Sequence, residues 1–144
     1  MNENYIILDC SGSMMEMGHN DVLKEAALAI KRGYPEVSLF RWSDTVNPLS
    51  KLKDIVPQGQ ADVPALTAFI KDCAEETGIL LISDGVWGMK NAETIHAAAG
   101  KRFLQTCAVG IGADLYSLKK AQTYGAKVAR MADLPSAMKR LTGR

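Results

Sequence analysis

Two short polar segments carry the side chains in this sequence that are best suited to chemistry. The first holds Asp9, Ser11 and Ser13, and the second is Ser83-Asp84-Gly85. A spacing of two residues along an extended loop turns alternate side chains the same way, and Gly12 allows the backbone to curl around an ion. The donors are carboxylate and hydroxyl oxygens, with no His or Cys at a matching spacing, which favours Mg²⁺ or Mn²⁺ over zinc. The sequence therefore predicts a divalent metal site formed by Asp9, Ser11, Ser13 and Asp84.

An apolar strand precedes each polar segment. The chain has two continuous hydrophobic runs, Tyr5–Leu8 and Ile79–Ile82. Such runs are typical of parallel strands that are buried on both faces. In an open α/β sheet, ligands bind beyond the carboxyl ends of the strands, where the strand order reverses. If these two strands are neighbours, the two polar loops meet at that edge of the sheet.

The remaining chain alternates between helix and strand patterns. Apolar residues recur at helical spacing from Val22 to Ile30. Val37–Trp42 is predicted as a second strand, and the weak strand Val46–Leu49 follows closely enough to pair with it as a hairpin at the sheet edge. We predict an α/β, doubly wound fold, with a mostly parallel six-stranded sheet, helices on both faces and one antiparallel edge strand.

Length and composition predict one folded domain over residues 1–144. Hydrophobic residues make up 47% of the chain and charged residues 23%, which are ordinary values for a globular protein. The formal net charge of +1 gives no whole-molecule reason to expect nucleic-acid binding. The charge is uneven, because residues 101–144 carry nine Lys or Arg against two Asp or Glu. This asymmetry indicates either solvated faces of the closing helices or a basic patch for an acidic partner.

The sequence also predicts a cytoplasmic protein without a membrane span. The start, Met1-Asn2-Glu3-Asn4, lacks the basic segment of a signal peptide. No stretch approaches the roughly 20 apolar residues that a membrane helix needs. Cys10, Cys73 and Cys107 are an odd number without metal-ligand spacing, which is typical of reduced, buried thiols.

The two polar segments together resemble a known site. Asp9-Cys10-Ser11-Gly12-Ser13 after an apolar strand, with Ile82-Ser83-Asp84-Gly85 later in the chain, resembles the metal-ion-dependent adhesion site (MIDAS) of von Willebrand factor A-type (vWA) domains. Phe40–Val46 resembles the second-strand hairpin of that family, and the likeness runs along nearly the whole chain in the same order.

The resemblance implies a function that is not enzymatic. It implies a small stand-alone vWA domain of the bacterial type, in which an Asp or Glu of a partner protein completes the coordination of the ion. Domains of this kind work with AAA+ ATPases, or with protein kinases and PP2C-type phosphatases, so the resemblance suggests a partner from one of these classes.

The chain departs from the family pattern in the third loop. The family places a threonine there, and the corresponding residue is Ala61, whose methyl group cannot bind a metal. Three explanations are open: Gln60 or Asp62 substitutes, Thr67 contributes by another path, or the ion is bound weakly by four side chains and water. The carboxylates supply most of the attraction, so we expect the loss of one neutral ligand to weaken binding rather than abolish it.

Two alternative functions belong to other classes. A haloacid-dehalogenase-like phosphotransferase would use Asp9 as its nucleophile, but it needs a second Asp two residues later, where this chain has Ser11. A metal-free vWA scaffold with a degenerate site is the other alternative, and Ala61 favours it.

The aromatic residues and histidines near the motifs give further expectations. Trp42 is predicted to lie in the core. Trp87, three residues after Asp84, either forms an exposed binding anchor or packs over the loop. His19 and His96 are isolated in the sequence and are predicted to lie on the surface.

Overall fold

The protein, seen here as a computed structural model, is built around a single six-stranded sheet. The structure describes residues 3–110, 112–123 and 127–143, apart from the side chain of Met17. The strands are β1 (Asn4–Asp9), β2 (Ser38–Trp42), β3 (Val46–Pro48), β4 (Gly78–Ser83), β5 (Phe103–Ala108) and β6 (Ala129–Arg130).

The sheet has the predicted doubly wound topology. Its strand order is β3-β2-β1-β4-β5-β6. Only the β2–β3 pair is antiparallel, and every other neighbouring pair is parallel. From β1 the chain builds the sheet first in one direction, to β2 and β3, and then in the other, to β4, β5 and β6. The strand order therefore reverses between β1 and β4, the two strands that precede the polar loops.

Within the described residues, five helices cover the two faces of the sheet. They are α1 (His19–Gly33), α2 (Val63–Asp72), α3 (Met89–Ala99), α4 (Leu115–Ala121) and α5 (Leu134–Thr142). Three short 3₁₀ helices, Gly12–Gly18, Leu52–Asp54 and Met131–Asp133, lie in the connections. None of the helices in the described part of the chain has both the length and the apolar character needed to cross a bilayer.

The alternation of side chains along β1 and β4 divides the core into two clusters. Ile6 and Leu8 of β1 pack with residues of α1 and α5. Ile7 points to the opposite face, where it packs with residues of α2 and α3. Because both faces are covered, the central strands are apolar throughout, as the continuous hydrophobic runs predicted.

A glycine fixes the β4–α3 connection against the start of α4. Gly85 has a φ of +71°, and a Cβ at this position would lie 2.6 Å from the carbonyl oxygen of Asp114 and 2.9 Å from Cγ of Leu118. The Asp114 N–H donates to the carbonyl oxygen of Asp84 at 2.6 Å. The backbone beside Asp84 is therefore held by direct contact with the residues that open α4.

We expect Gly85→Ala to destabilise the protein more than Gly18→Ala. Both positions have positive φ, but a Cβ at Gly18 would meet no atom within 4 Å. Gly18→Ala should cost about 1 kcal/mol for the left-handed backbone alone. Gly85→Ala should cost roughly 1–3 kcal/mol more, because the methyl group collides with backbone. Urea unfolding of both variants measures the difference, and equal losses would contradict the proposed contact with α4.

Candidate metal centre

The carboxylate of Asp9 is the buried centre of the polar cluster at the edge where β1 and β4 end. Its side chain has no exposed surface. Oδ1 accepts hydrogen bonds from the backbone N–H of Ser11 at 2.9 Å and from its hydroxyl at 2.6 Å. Oδ2 accepts from the hydroxyl of Ser83 at 2.6 Å. Two segments that lie 74 residues apart in the chain are thus joined through one carboxylate, as the strand order requires.

Burial perturbs the ionisation of Asp9. Desolvation raises the pKa of this carboxyl to about 6, the hydrogen bonds from Ser11 and Ser83 oppose that rise, and the charge of Asp84 adds to it. The carboxylate is therefore ionised at neutral pH at a cost in free energy, which a nearby cation would offset.

The hydroxyl groups of Ser11 and Ser13 are arranged so that they can accept a cation. The Ser11 proton is donated to Asp9, so the oxygen lone pairs remain available to other groups. The two hydroxyl oxygens lie 3.3 Å apart. Ser11 is almost fully buried and Ser13 is partly exposed, so the pair faces an opening rather than the core.

Asp84 adds a second buried carboxylate. Its Oδ1 accepts from the backbone N–H of Val86 at 3.1 Å. Its Oδ2 has no hydrogen-bond partner among the residues that the structure describes. The large majority of buried side-chain polar atoms in folded proteins have a hydrogen-bond partner, so a donor or a cation is expected next to this oxygen.

His19 lies next to Asp84, which corrects the prediction that it is a surface residue. Its side chain is buried, and its Nδ1 lies 3.8 Å from Oδ2 of Asp84, too far for a hydrogen bond. It also packs against Gly110, where a Cβ would meet its Cδ2 at 3.1 Å. The spacing could have indicated this position, because His19 lies four residues before Leu23 and continues the buried face of α1. His96 is exposed, as predicted.

A third loop forms the opposite wall of the site. The N–H of Gly12 donates to the carbonyl oxygen of Gly59 at 2.9 Å, and the N–H of Gln58 donates to that of Cys10 at 2.9 Å. Between the loops lies a cavity of about 330 Å³. The residues that line it are Ser11, Gly12, Ser13, Gly59, Gln60, Ala61, Val86, Trp87 and Asn91.

Two of the proposed substitutes for the third-loop ligand do not line this cavity. Oδ1 of Asp62 accepts from the N–H of Ala65 at 3.0 Å and caps α2. The hydroxyl of Thr67 donates within α2 to the carbonyl oxygen of Pro64 at 3.1 Å, and Thr67 lines a different cavity. Of the candidates from sequence, only Gln60 lines the cavity that contains Ser11 and Ser13.

Trp87 is both partly exposed and packed over the site. Its indole Nε1–H donates to the hydroxyl of Ser83 at 2.9 Å, and the N–H of Gly85 donates to the same oxygen at 3.0 Å. Ser83 therefore accepts twice and donates to Asp9. Trp42 is fully buried, as predicted.

The oxygen donors at this edge of the sheet are of the type that a hard divalent ion accepts. Among the described residues, no group of three or more His, Cys, Asp or Glu side chains could hold a metal, so any site here depends on hydroxyl oxygens as well as carboxylates. Cys10 lies inside the motif, but burial raises its pKa to about 11, which keeps the thiol neutral. The unpartnered oxygen of Asp84 is the atom that such an ion would satisfy.

The raised pKa of Asp9 predicts a pH-dependent stability in metal-free protein. The folded state binds this proton more tightly than the unfolded state, whose pKa is near 3.8. Protonation therefore adds stability as the pH falls through 6. The free energy of unfolding of the wild type, relative to Asp9→Ala, should rise by roughly 2 kcal/mol between pH 7.5 and pH 4.5. Urea unfolding at the two pH values tests this, and a difference that stays constant or falls would contradict it.

Comparison with known proteins identifies the fold. No protein-family model matches the sequence. No curated protein matches it either. A solved structure of an aerotolerance-related membrane protein from Bacteroides fragilis, carrying multiple mutations to serine, superposes with a TM-score of 0.73 at 16% identity, over 99% of this chain and 98% of that chain.

Two further structures connect the fold to named domains. The vWA domain of SpRpn10 superposes with a TM-score of 0.57 at 13% identity, over 95% of each chain. Proximal thread matrix protein 1 from the mussel byssus, with a zinc-occupied MIDAS motif, superposes with a TM-score of 0.58 at 13% identity. That match covers 97% of this chain and 44% of the mussel chain, so this chain spans less than half of that protein. The fold of this chain is therefore that of a von Willebrand factor A domain.

Proposed function

We propose that this domain binds a divalent cation, Mg²⁺ or Mn²⁺, through Asp9, Ser11, Ser13 and Asp84, and uses the ion to bind a partner protein. A carboxylate of the partner completes the coordination. The domain is a binding module in this proposal and catalyses no reaction.

The observation that carries the proposal is the buried, unpartnered oxygen of Asp84. A buried acceptor without a hydrogen-bond donor costs free energy, and the second carboxylate, Asp9, has its pKa raised by desolvation, to which the charge of Asp84 adds. A cation between the two loops would offset both costs. The zinc-occupied MIDAS motif of the mussel protein supports a divalent ion in this fold.

The number of ligands explains why a partner carboxylate would bind. Mg²⁺ takes about six oxygen ligands in octahedral geometry, and four side chains leave two positions for water or an incoming group. Two of the four side chains are neutral hydroxyls and the two carboxylates only balance the charge of the ion, so an anionic group can still enter the open positions. The opening beside Ser13 and the exposed Val86 leave room for that group.

The alternatives fit less well. A phosphotransferase nucleophile must reach its substrate, but Asp9 is fully buried and both its oxygens accept hydrogen bonds from serines. A metal-free scaffold leaves the buried Oδ2 of Asp84 without a hydrogen-bond partner among the described residues, with Nδ1 of His19 3.8 Å away. The partner class (AAA+ ATPase, kinase or phosphatase) and the cytoplasmic location remain predictions from the sequence.

We expect Asp84→Asn to lose metal binding while it keeps the fold. Asparagine has the same shape and can still accept from Val86, but it carries no charge for the ion. Titration calorimetry with Mg²⁺, Mn²⁺ and Zn²⁺ should show affinity reduced at least about tenfold, for the loss of about 1.4 kcal/mol or more of attraction. The far-UV circular dichroism spectrum should not change.

Asp62→Asn is the matched control for this variant. It removes one carboxylate from the same side of the molecule, and asparagine caps a helix as well as aspartate does. Its metal affinity should equal that of the wild type. If both variants lose metal affinity equally, the ion is attracted by the overall negative charge of this region and not by coordination to Asp84.

We also expect partner capture to depend on the ion. A tagged wild-type domain should retain a partner from a lysate of its native source in Mg²⁺ and release it in EDTA, because the carboxylate of the partner binds through the metal. Asp84→Asn should retain none in either buffer. Mass spectrometry of the eluted protein identifies the partner, and capture that survives EDTA would contradict the proposal.

A further inference from the structure

We infer that His19 is a nitrogen ligand of the ion, which it binds through Nδ1 beside Oδ2 of Asp84. The inference rests on the proposed function, because it adds a ligand to the same metal site. It also narrows the choice of ion, since an imidazole ligand favours zinc and related transition metals over Mg²⁺.

His19 and Asp84 face each other across a short gap in the interior. Both side chains are buried, and Nδ1 of His19 lies 3.8 Å from Oδ2 of Asp84. This separation is too long for a hydrogen bond. Two ligands of one tetrahedral zinc ion lie about 3.3 Å apart, given metal–ligand distances of about 2.0–2.1 Å. A small rotation of either side chain would therefore allow the two atoms to share an ion.

The end of β5 fixes which edge of the imidazole faces Asp84. A Cβ at Gly110 would lie 3.1 Å from Cδ2 of His19 and 3.5 Å from its Nε2, so this edge of the ring packs against Gly110. The N–H of Val109 donates to the carbonyl oxygen of Ser83 at 3.2 Å, which holds the end of β5 beside the end of β4. Nδ1 is the ring atom opposite the Cδ2–Nε2 edge, and it is thus presented to the carboxylate.

The first turn of α1 holds His19 in this position. Its backbone N–H donates to the carbonyl oxygen of Glu16, and Leu23, one turn later on the same face of the helix, is fully buried. The ring could leave the interior only if this end of α1 moved. A ligand whose position is set by packing in this way loses little freedom when it binds an ion.

A nitrogen ligand changes which ions the site prefers. The other proposed ligands are carboxylate and hydroxyl oxygens, which suit Mg²⁺. The imidazole nitrogen suits zinc better, and because it is neutral it leaves the balance between the ion and the two carboxylates unchanged. His19 and Asp84 are only part of the coordination shell, and the hydroxyls of Ser11 and Ser13, together with water, supply the rest.

Pulsed electron paramagnetic resonance of bound Mn²⁺ tests the inference on the unaltered protein. At neutral pH the spin echo of wild type loaded with Mn²⁺ should be modulated by a directly bound nitrogen, and ¹⁵N-labelling of histidine should change that modulation. His19→Gln should abolish it. His96→Gln is the matched control, because His96 is the second of the two histidines and its Nδ1 lies 3.0 Å from the carbonyl oxygen of Gln122. This control should keep the modulation.

Titration with Zn²⁺ and with Mg²⁺ measures the preference of the site. His19→Gln should weaken Zn²⁺ binding about tenfold, because a nitrogen ligand is lost, and Mg²⁺ binding less than about twofold. His96→Gln should bind both ions like the wild type. The far-UV circular dichroism spectrum of each variant checks that the fold is kept.

The outcomes separate this inference from the proposed function. Wild type that binds Mn²⁺ without modulation from a histidine nitrogen would overturn the role of His19 and leave the oxygen-only site standing. An equal loss of Zn²⁺ and Mg²⁺ affinity in His19→Gln would also overturn it, because a residue that only supports the fold would affect both ions alike. A wild type that binds no more metal than Asp84→Asn would overturn the metal site itself.

Discussion

The geometry of the candidate site depends on one buried carboxylate. Asp9 ends β1 in the interior, and its two oxygens are satisfied by groups from two different loops, Ser11 on one side and Ser83 on the other. Burying a charge costs free energy, and the raised pKa of Asp9 reflects part of that cost. In return, the carboxylate joins the loops that follow β1 and β4 by hydrogen bonds, at the point where the strand order reverses.

Most of the architecture could be predicted from the sequence because its signals are local. Continuous apolar runs that end in acidic, hydroxyl-rich loops mark parallel strands, and they located both β1 and β4. The edge hairpin was also predicted, and β3 ends at Pro48, one residue earlier than expected. Fold prediction succeeded here because buried parallel strands leave little freedom in composition.

The environment of the site was harder to predict because it depends on contacts between distant segments. The burial of His19 could have been inferred from its position four residues before Leu23 on the buried face of α1, but its contact with Asp84 depends on how α1 packs beside the strand ends. From sequence alone it could not be decided whether the indole of Trp87 is exposed or donates a hydrogen bond to Ser83. The third-loop explanations could not be separated from sequence, because the bond of Asp62 to Ala65 and that of Thr67 to Pro64 depend on where α2 begins.

The bond between Trp87 and Ser83 gives the molecule an intrinsic optical reporter. The indole is connected through a single hydroxyl to Asp9, whereas Trp42 is buried and donates its Nε1–H to the backbone of Asp62. Trp42 is also near the carboxylate, because it is the residue paired with Asp9 between β2 and β1. Both indoles of the protein therefore lie where a bound cation would alter their surroundings, and fluorescence emission of unlabelled protein would report that change.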